Sequence, residues 1–404
     1  STGQGSGYGI YVNNIDSLTL LNNTFTQNKK TAFVGLPKIF LHSGNTSTDE
    51  TSRGFEVSGI LSGETNFPGG DLPYIVGQIN INTSGKLAVE AGAILKMDDR
   101  FASGAIHVSG GGLEFRGTPE NKIHITSLKD DGVGGDTNGD GGLTLPAPKN
   151  WSSIFLENGS NTLFENVELK YGGYNFNGEY SNIAAAIYQR GAELSIKNSK
   201  FSKNSTADIF QDGGSTQILG SEFIDSDYGI WSRGGSLSVS KSSFTNHTGL
   251  AVYNQSGPQV DARNNWWGSS DGPKDISNPN PTGSGDKIQG DVNYTPFLTS
   301  WPPSTEKVIN PVIIVPGIMG SDYAPLSKKL VIDPILHTYD NLIATLEVNG
   351  YVENESLFTF PYEWRDSNVI TANILKDKIT SVIQECVAAA PENIDCSKVD
   401  LVAH

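Results

Sequence analysis

Residues 209–244 read IFQDGGSTQILGSEFIDSDYGIWSRGGSLSVSKSSF. The stretch contains one pattern twice, because Ile209 and Ile230 are each followed nine residues later by a β-branched residue and fourteen residues later by phenylalanine. The two copies start 21 residues apart. A repeat with a period of roughly 20 to 50 residues is typical of stacked structural units, each of which buries its apolar face against the next. The sequence therefore predicts a solenoid.

The same pattern extends over residues 151–268 with a period of 21 to 22 residues. It contains three apolar columns: Ile154, Ile187, Ile209, Ile230 and Val252; Leu163, Ile196, Ile218 and Val239; and Phe201, Phe223, Phe244 and Trp266. The step from Ile154 to Ile187 is longer than one period, because a glycine- and asparagine-rich insertion occupies residues 171–182. Short strands ended by Gly, Asn and Ser at this period resemble a right-handed parallel β-helix, and we expect the columns to face its interior.

Related alternating patterns at residues 7–28 and 59–127 extend this prediction towards the start of the chain. The β-helix is predicted to occupy residues 1–300, either as one array or as two consecutive arrays, 1–55 and 56–300. A proline-rich segment at residues 301–308 follows, and we interpret it as a stiff interdomain linker.

The last hundred residues have a different pattern. Short apolar runs at residues 311–315, 357–360 and 398–402 predict strands that are covered on both faces. Apolar residues recur at helical spacing between residues 368 and 390, and a weaker helical pattern lies at residues 334–346. Alternating strands and helices predict a parallel sheet with right-handed crossovers.

Three segments of this region, taken in order, carry a resemblance to a known family: VIIVPGIMGS at 312–321, YEWR at 362–365 and LVAH at 401–404. They resemble the opening motifs of the lecithin:cholesterol acyltransferase and related lipase family. The resemblance implies that Gly317, Ile318 and Met319 form the oxyanion loop, with the backbone N–H of Ile318 as donor. It also implies that His404 directly precedes the nucleophilic serine. Glu363 stands where the family has aspartate.

On this interpretation the fold class is mostly β, a right-handed parallel β-helix followed by an incomplete α/β-hydrolase domain. Residues 309–404 would be the N-terminal portion of that domain, truncated before the nucleophile elbow, so the triad would lie beyond residue 404. The resemblance implies a fragment of an exported serine esterase, lipase or O-acyltransferase that acts on lipid or other acyl esters. The β-helix would be a stalk or targeting module, and catalysis would require no cofactor.

An alternative function is a structural, adhesive or carbohydrate-binding β-helix protein of the cell surface, with no catalysis in this chain. In that case residues 312–317 form an ordinary strand and turn, and residues 363–365 form a structural corner with a buried ion pair. A further alternative is a pectinase-like enzyme acting on polysaccharide along the solenoid, which should show clustered carboxylates, or acids with a basic residue, on one face. Whether the chain is itself an enzyme stays open, because the nucleophile and triad are absent from it.

One aromatic column bears on the carbohydrate hypothesis. It follows the first apolar column by one residue and contains Phe155, Tyr188, Phe210, Trp231 and Tyr253. Strand alternation places this column outside if the apolar column points inward. We predict that Tyr188, Phe210, Trp231 and Tyr253 could stack on sugar rings, although such a column also commonly lines the outer face of a sheet or is covered by a loop. A charged column that includes Arg190, Asp212 and Arg233 follows two residues later, and we expect its members to pair with one another.

A second candidate site lies at residues 136–141, DTNGDG. Asp136, Asn138 and Asp140 occupy alternate positions and a glycine stands sixth, which is the first half of a calcium loop. The expected twelfth-position glutamate is missing, because Ala147 stands there. We predict either a partial structural Ca²⁺ site completed by Asp130 or Asp131, or a solvated turn.

The composition narrows the classes of partner. A net charge of −16 argues against nucleic acid, and no apolar run is long enough to span a membrane. The chain starts without Met or a signal sequence, so we expect both ends to derive from a longer reading frame, and the missing signal says nothing about export. Both functional interpretations place the protein outside the cell or on its surface. Cys386 and Cys396 are compatible with a disulfide or with two thiols.

Overall fold

The computed structural model describes residues 7–98, 106–174, 184–301, 310–324, 327–334, 338–348, 351–389, 394 and 396–403. The chain divides into two compact units, Ser1–Pro303 and Ser304–His404, and the division falls within the predicted linker. Most of that linker and His404 lie outside the described residues. No helix in the described part of the chain is long and apolar enough to cross a membrane.

The first unit is built from a 25-stranded sheet in which strands pair in parallel with strands about one repeat further along the chain. The chain passes through three ladders of strands in each circuit, and we call one circuit a coil and the whole unit the coil array. The unit is therefore mostly β with one large parallel sheet, an arrangement compatible with the predicted parallel β-helix.

The strand bounds follow the three ladders. The first ladder contains Tyr8–Val12, Lys30–Val34, the first half of Ser52–Leu61 and of Tyr74–Ile81, Ile94–Met97, Ile123–Ser127, Val167–Lys170, Lys200–Ser202, Glu222–Ile224 and Ser243–Thr245. The second contains the second half of Ser52–Leu61 and of Tyr74–Ile81, Ile106–Val108, Ile154–Leu156, Ala185–Gln189, the first half of Ala207–Leu219 and of Tyr228–Ser240, Leu250–Asn254 and Gly285–Gln289. The third contains Glu64–Phe67, Lys86–Glu90, Gly112–Arg116, Asn161–Glu165, Glu193–Lys197, the second half of Ala207–Leu219 and of Tyr228–Ser240, Val260–Asp261 and Val292–Asn293. Further parallel pairs join Ser17–Leu21 to Ile39–Ser43, Thr24–Phe25 to Thr46–Ser47, and Pro273–Asp275 to Gly285–Gln289.

The first predicted apolar column is confirmed, since its five members are register partners and all are fully buried. The second column is wrong by one residue at its start, where Phe164, not Leu163, pairs with Ile196. The turn between the two ladders has four residues in that coil, 157–160, and three in the next, 190–192. One extra turn residue shifts the register and reverses which side chain faces the core.

The third column is confirmed at Phe201, Phe223 and Phe244, which stack in register at centroid distances of 5.2 and 5.0 Å. The next ring in this stack is Trp267, fully buried and 4.9 Å from Phe244, whereas the sequence pattern predicted Trp266. The cause is again a turn with one additional residue, because Asn254 and Asp261 pair with Ser232 and Ser238.

Buried polar side chains run beside this aromatic stack. The backbone N–H of Ser199 donates to the Ser221 hydroxyl at 3.2 Å, and that of Ser221 donates to the Ser242 hydroxyl at 3.0 Å. The N–H of Ser242 donates to Asn265 Oδ1 at 2.9 Å. Each coil thus satisfies a buried donor of the preceding coil, which avoids the cost of an unpaired N–H at these bends.

The second unit contains a parallel sheet in the order Leu357–Thr359, Val312–Val315, Asp400–Ala403. These strands and the helix Asn368–Ala389 confirm the predicted elements, and a second helix, Asp340–Val348, begins later than its pattern suggested. The expectation that each strand is covered on both faces is wrong for Asp400–Ala403, because its four residues are all exposed. The strands Ser321–Tyr323 and Leu330–Ile332 form an antiparallel pair. Cys386 and Cys396 form a disulfide. Three parallel strands and two helices in the described residues do not by themselves support a hydrolase domain.

Candidate functional site

The turn at residues 317–320 follows the central strand of the second unit. The N–H of Gly320 donates to the Gly317 carbonyl at 2.9 Å, and Met319 at the third position has a φ of 66°. Ile318 has no such left-handed φ, so the turn is of type II. Ile318 and Met319 are 80% and 73% exposed.

The turn leaves backbone donors available. The N–H of Gly317 is used, because it donates to the Tyr339 hydroxyl at 3.0 Å. Within the described part of the chain, the N–H groups of Ile318 and Met319 have no hydrogen-bond partner. Backbone N–H groups of this kind stabilise an oxyanion where they point at the developing charge. Ile318, rather than Gly317, is therefore the better candidate donor of the predicted loop.

The adjacent strand brings a second element to the same edge of the sheet. Val315 and Ala403 are register partners in parallel strands, so the carboxyl end of the strand Asp400–Ala403 lies next to the start of the turn. His404, the predicted neighbour of the nucleophile, lies outside the described residues. Ligands of open parallel sheets gather at the carboxyl ends of the strands, where these two elements meet.

The segment at 362–365 forms a corner in which Arg365 is exposed and the other three residues are half-buried. Arg365 Nη1 lies 2.9 Å from Glu363 Oε1, and the Arg365 guanidinium lies 4.1 Å from the Trp364 ring centroid. The arginine side chain is 63% exposed, so the expectation of a buried ion pair is wrong. The N–H of Tyr362 donates to the Ser321 hydroxyl at 3.2 Å, which joins this corner to the end of the oxyanion-like turn.

Comparisons of the chain with protein-family models, with curated proteins and with solved structures return no match. The functional interpretation therefore rests on the geometry of the chain itself.

The aromatic column lies on the side of the second ladder opposite the core column. Its rings form a separate cluster from the interior, with consecutive centroids 5.0 to 6.0 Å apart. Tyr188 is only 4% exposed and Phe210 is fully buried, with the Arg233 guanidinium 5.2 Å from its ring centroid. Those two rings cannot serve as a stacking surface in this structure. Trp231 and Tyr253 keep part of their surface, and Trp231 Nε1 donates to Gln255.

The calcium-like loop brings three carboxylates together. Oxygen atoms of Asp131, Asp136 and Asp140 lie within 4.8 Å of one another. Of the two acidic residues that could complete the loop, Asp131 rather than Asp130 is therefore the one beside it. Asp130 instead accepts hydrogen bonds from Thr126 and from the N–H of Gly132. Asn138 donates to Asp140 Oδ2 at 2.9 Å.

Two cations offset part of this negative charge. Arg53 pairs with Asp136 at 2.9 Å. Lys96 is fully buried nearby and donates to the Asp130 carbonyl. Burial lowers the pKa of Lys96 to about 8, against the opposing effect of Asp130, Asp131 and Asp136. Burial and the neighbouring Asp136 and Asp140 raise the pKa of Asp131.

Sequence reasoning missed a buried charged cluster in the coil array, formed by His247, Asp208 and Asp286. The Nδ1 atom of His247 lies 2.6 Å from Asp286 Oδ2, and Nε2 lies 3.9 Å from Asp208 Oδ2. Burial by itself lowers the pKa of His247, but the hydrogen bond to Asp286 and charge attraction from both carboxylates raise that pKa to about 9. The three residues are far apart in the sequence, and no spacing rule connects them.

Proposed function

We propose that the second unit belongs to a serine-dependent acyl-transfer enzyme, an esterase, lipase or O-acyltransferase acting on lipid or other acyl esters. The coil array would be an extracellular or cell-surface stalk or targeting module. One observation carries the proposal: an exposed type II turn with unpaired N–H groups lies beside the carboxyl end of the strand Asp400–Ala403.

Acyl transfer requires these two elements to be neighbours. A serine at the strand-to-helix turn attacks the ester carbonyl, and the oxygen of the tetrahedral intermediate becomes negative. Backbone N–H groups from the adjacent loop then stabilise that charge without reorganisation. On this proposal a serine follows His404 directly, and the N–H of Ile318 stabilises the oxyanion.

The test uses the protein with its natural downstream residues and removes the proposed donor alone. Ile318→Pro deletes the N–H but suits the turn, because proline is favoured at the second position of a type II turn. We expect kcat for hydrolysis of a p-nitrophenyl ester to fall about 10²- to 10³-fold, the usual effect of losing one oxyanion donor.

Ile318→Ala is the matched control, since it removes the side chain and keeps the N–H. Its kcat should stay within about threefold of the parent value, because an exposed side chain away from the reacting atoms contributes little to the transition state. Equal activity of Ile318→Pro and Ile318→Ala would contradict the assigned donor. A residue other than serine directly after His404, or a flat ester-release assay of the parent protein, would exclude the proposed function.

We also propose that Asp131, Asp136 and Asp140 hold a structural Ca²⁺, with Asn138 as a further oxygen ligand. Hard oxygen ligands on a glycine-rich loop suit this ion. We expect a dissociation constant on the order of 10⁻⁴–10⁻³ M, as in extracellular calcium modules. Asp131→Asn should weaken Ca²⁺ binding about tenfold in a calorimetric titration, because it removes one of three carboxylates.

Asp261→Asn serves as the control, since Asp261 is exposed and paired with Arg263 at 2.8 Å outside the loop. It should leave the titration unchanged. A Ca²⁺ titration of the parent chain without heat or a shift in melting temperature would show that the loop is a solvated turn.

A further inference from the structure

A polar groove follows the carboxyl ends of four successive strands of the second ladder. Ile81, Val108, Leu156 and Gln189 are register partners there. Each of these four residues is followed by one that lines the groove: Asn82, Ser109, Glu157 and Arg190. The groove consists of two recesses of about 480 and 460 Å³, and Thr83 and Ser109 line both. Adjacent strands are about 4.8 Å apart, so the groove extends about 14 Å along the stacking direction.

The groove is lined by hydrogen-bonding groups. Its walls carry the hydroxyls of Thr83 and Ser109, the amide of Asn158, the carboxylate of Glu157 and the guanidinium of Arg190. No apolar side chain lines the larger recess among the described residues. A protein-docking surface normally has an apolar centre, whereas a recess lined by side chains with hydrogen-bond donors and acceptors matches a ligand rich in hydroxyl groups.

The acidic group of the groove is already engaged by its neighbours. Glu157 Oε2 accepts a hydrogen bond from the Ser109 hydroxyl at 3.1 Å, and Oε1 lies 3.4 Å from His107 Nε2. These contacts join the carboxylate of Glu157 to the preceding coil. Arg190 occupies the equivalent position in the next coil.

The arginine is therefore available to a ligand. Arg190 is exposed, and within the described part of the chain its side chain forms no ion pair or hydrogen bond. Arg233 differs, because it pairs with both oxygens of Asp212 at 3.1 and 2.6 Å. The expectation that Arg190, Asp212 and Arg233 pair with one another is thus correct for only two of them. An unpaired guanidinium recognises a carboxylate through two parallel hydrogen bonds.

We propose that this groove binds an oligosaccharide that carries a carboxylate. Arg190 pairs with the carboxylate, and Thr83, Ser109 and Asn158 hydrogen-bond to sugar hydroxyls. A nucleic acid fits the groove poorly, because Arg190 is the one cationic side chain among the described residues that line the two recesses, whereas every nucleotide adds a negative charge. The site is distinct from the aromatic column and is independent of the proposed acyl transfer in the second unit.

The experiment probes the full chain on an array of immobilised oligosaccharides: uronic-acid oligomers, sialylated oligosaccharides, and neutral oligomers of the same lengths. We expect binding to one of the two carboxylated classes, which identifies the source of the carboxylate, and at least tenfold weaker binding to the neutral set. Calorimetry with the best binder as a soluble tetrasaccharide then gives the affinity of each variant.

Arg190→Gln should weaken that affinity about 10- to 100-fold, which is the usual effect of removing a charge-assisted pair. Arg233→Gln is the matched control from the same column and should leave the affinity unchanged. Arg190→Gln should also keep the melting temperature of the parent, because the arginine is exposed and unpaired. Failure of every carboxylated oligosaccharide to bind, or equal affinities of Arg190→Gln and the parent, would overturn the proposal.

Discussion

Replacing Phe223 with alanine will lower the free energy of unfolding of the coil array by about 3–5 kcal/mol. Phe223 is fully buried and stacks between Phe201 and Phe244, with ring planes within 9° of parallel on both sides. The flanking rings belong to strands that are fixed by the ladder, so they cannot move together to fill the space. The substitution therefore loses the burial of the ring and leaves a cavity.

The control is a stacked ring that lacks burial. Tyr11 stacks on Phe33 at 4.7 Å with planes 15° apart, but Tyr11 is 45% exposed. Tyr11→Ala should cost less than about 1 kcal/mol, because its contribution is limited to aromatic contacts with Phe33 and Tyr8 at the surface. Urea unfolding followed by circular dichroism measures both variants. A similar loss for both would mean that burial is not what makes the Phe223 stack important.

The stability of the coil array will fall by about 3 kcal/mol between pH 6.5 and pH 9 through His247. The pKa of this buried group is raised to about 9 in the folded chain from an ordinary 6.5, so the folded state binds the proton more tightly than the unfolded state. The stabilisation is fully present below pH 6.5 and is lost as the pH rises through 9. Asp208 and Asp286 are the charged groups that face the imidazole.

The measurement compares the parent chain with His247→Gln across this pH range. Lys96 also titrates in it, with the opposite sign, because burial lowers its pKa to about 8 and stability then rises with pH above that value. Both chains contain Lys96, so its effect cancels in the difference. The stability advantage of the parent should shrink towards pH 9. A difference that stays constant from pH 6 to 9 would show that folding does not raise the pKa of His247.

Much of the coil array could be predicted from its apolar spacing. The column from Ile154 to Val252 and the stack from Phe201 to Phe244 are correct because a buried position in a stacked coil must be filled by a similar side chain in every coil. Leu163 and Trp266 were placed wrongly because a turn can gain one residue without changing the average period. Only the strand register shows which coil contains the extra residue.

The candidate sites differed in how far the sequence could define them. The spacing of Asp136, Asn138 and Asp140 indicated a cation loop because its ligands are close in the chain, but Asp131 could be chosen over Asp130 only from their distances to the loop. Strand alternation correctly placed the aromatic column outside the core. It could not show that Tyr188 and Phe210 are buried there, since burial of an outward side chain depends on what packs over it.

The sequence by itself determined the parallel coils, the three strands of the second unit and the position of the exposed turn at Ile318. These features depend on local periodicity and on turn residues, which act over short distances along the chain. Only the tertiary structure decided the register errors, the His247 cluster and the groove with its unpaired Arg190. These depend on side chains from different coils, and stacking sets their separations independently of their distance along the chain.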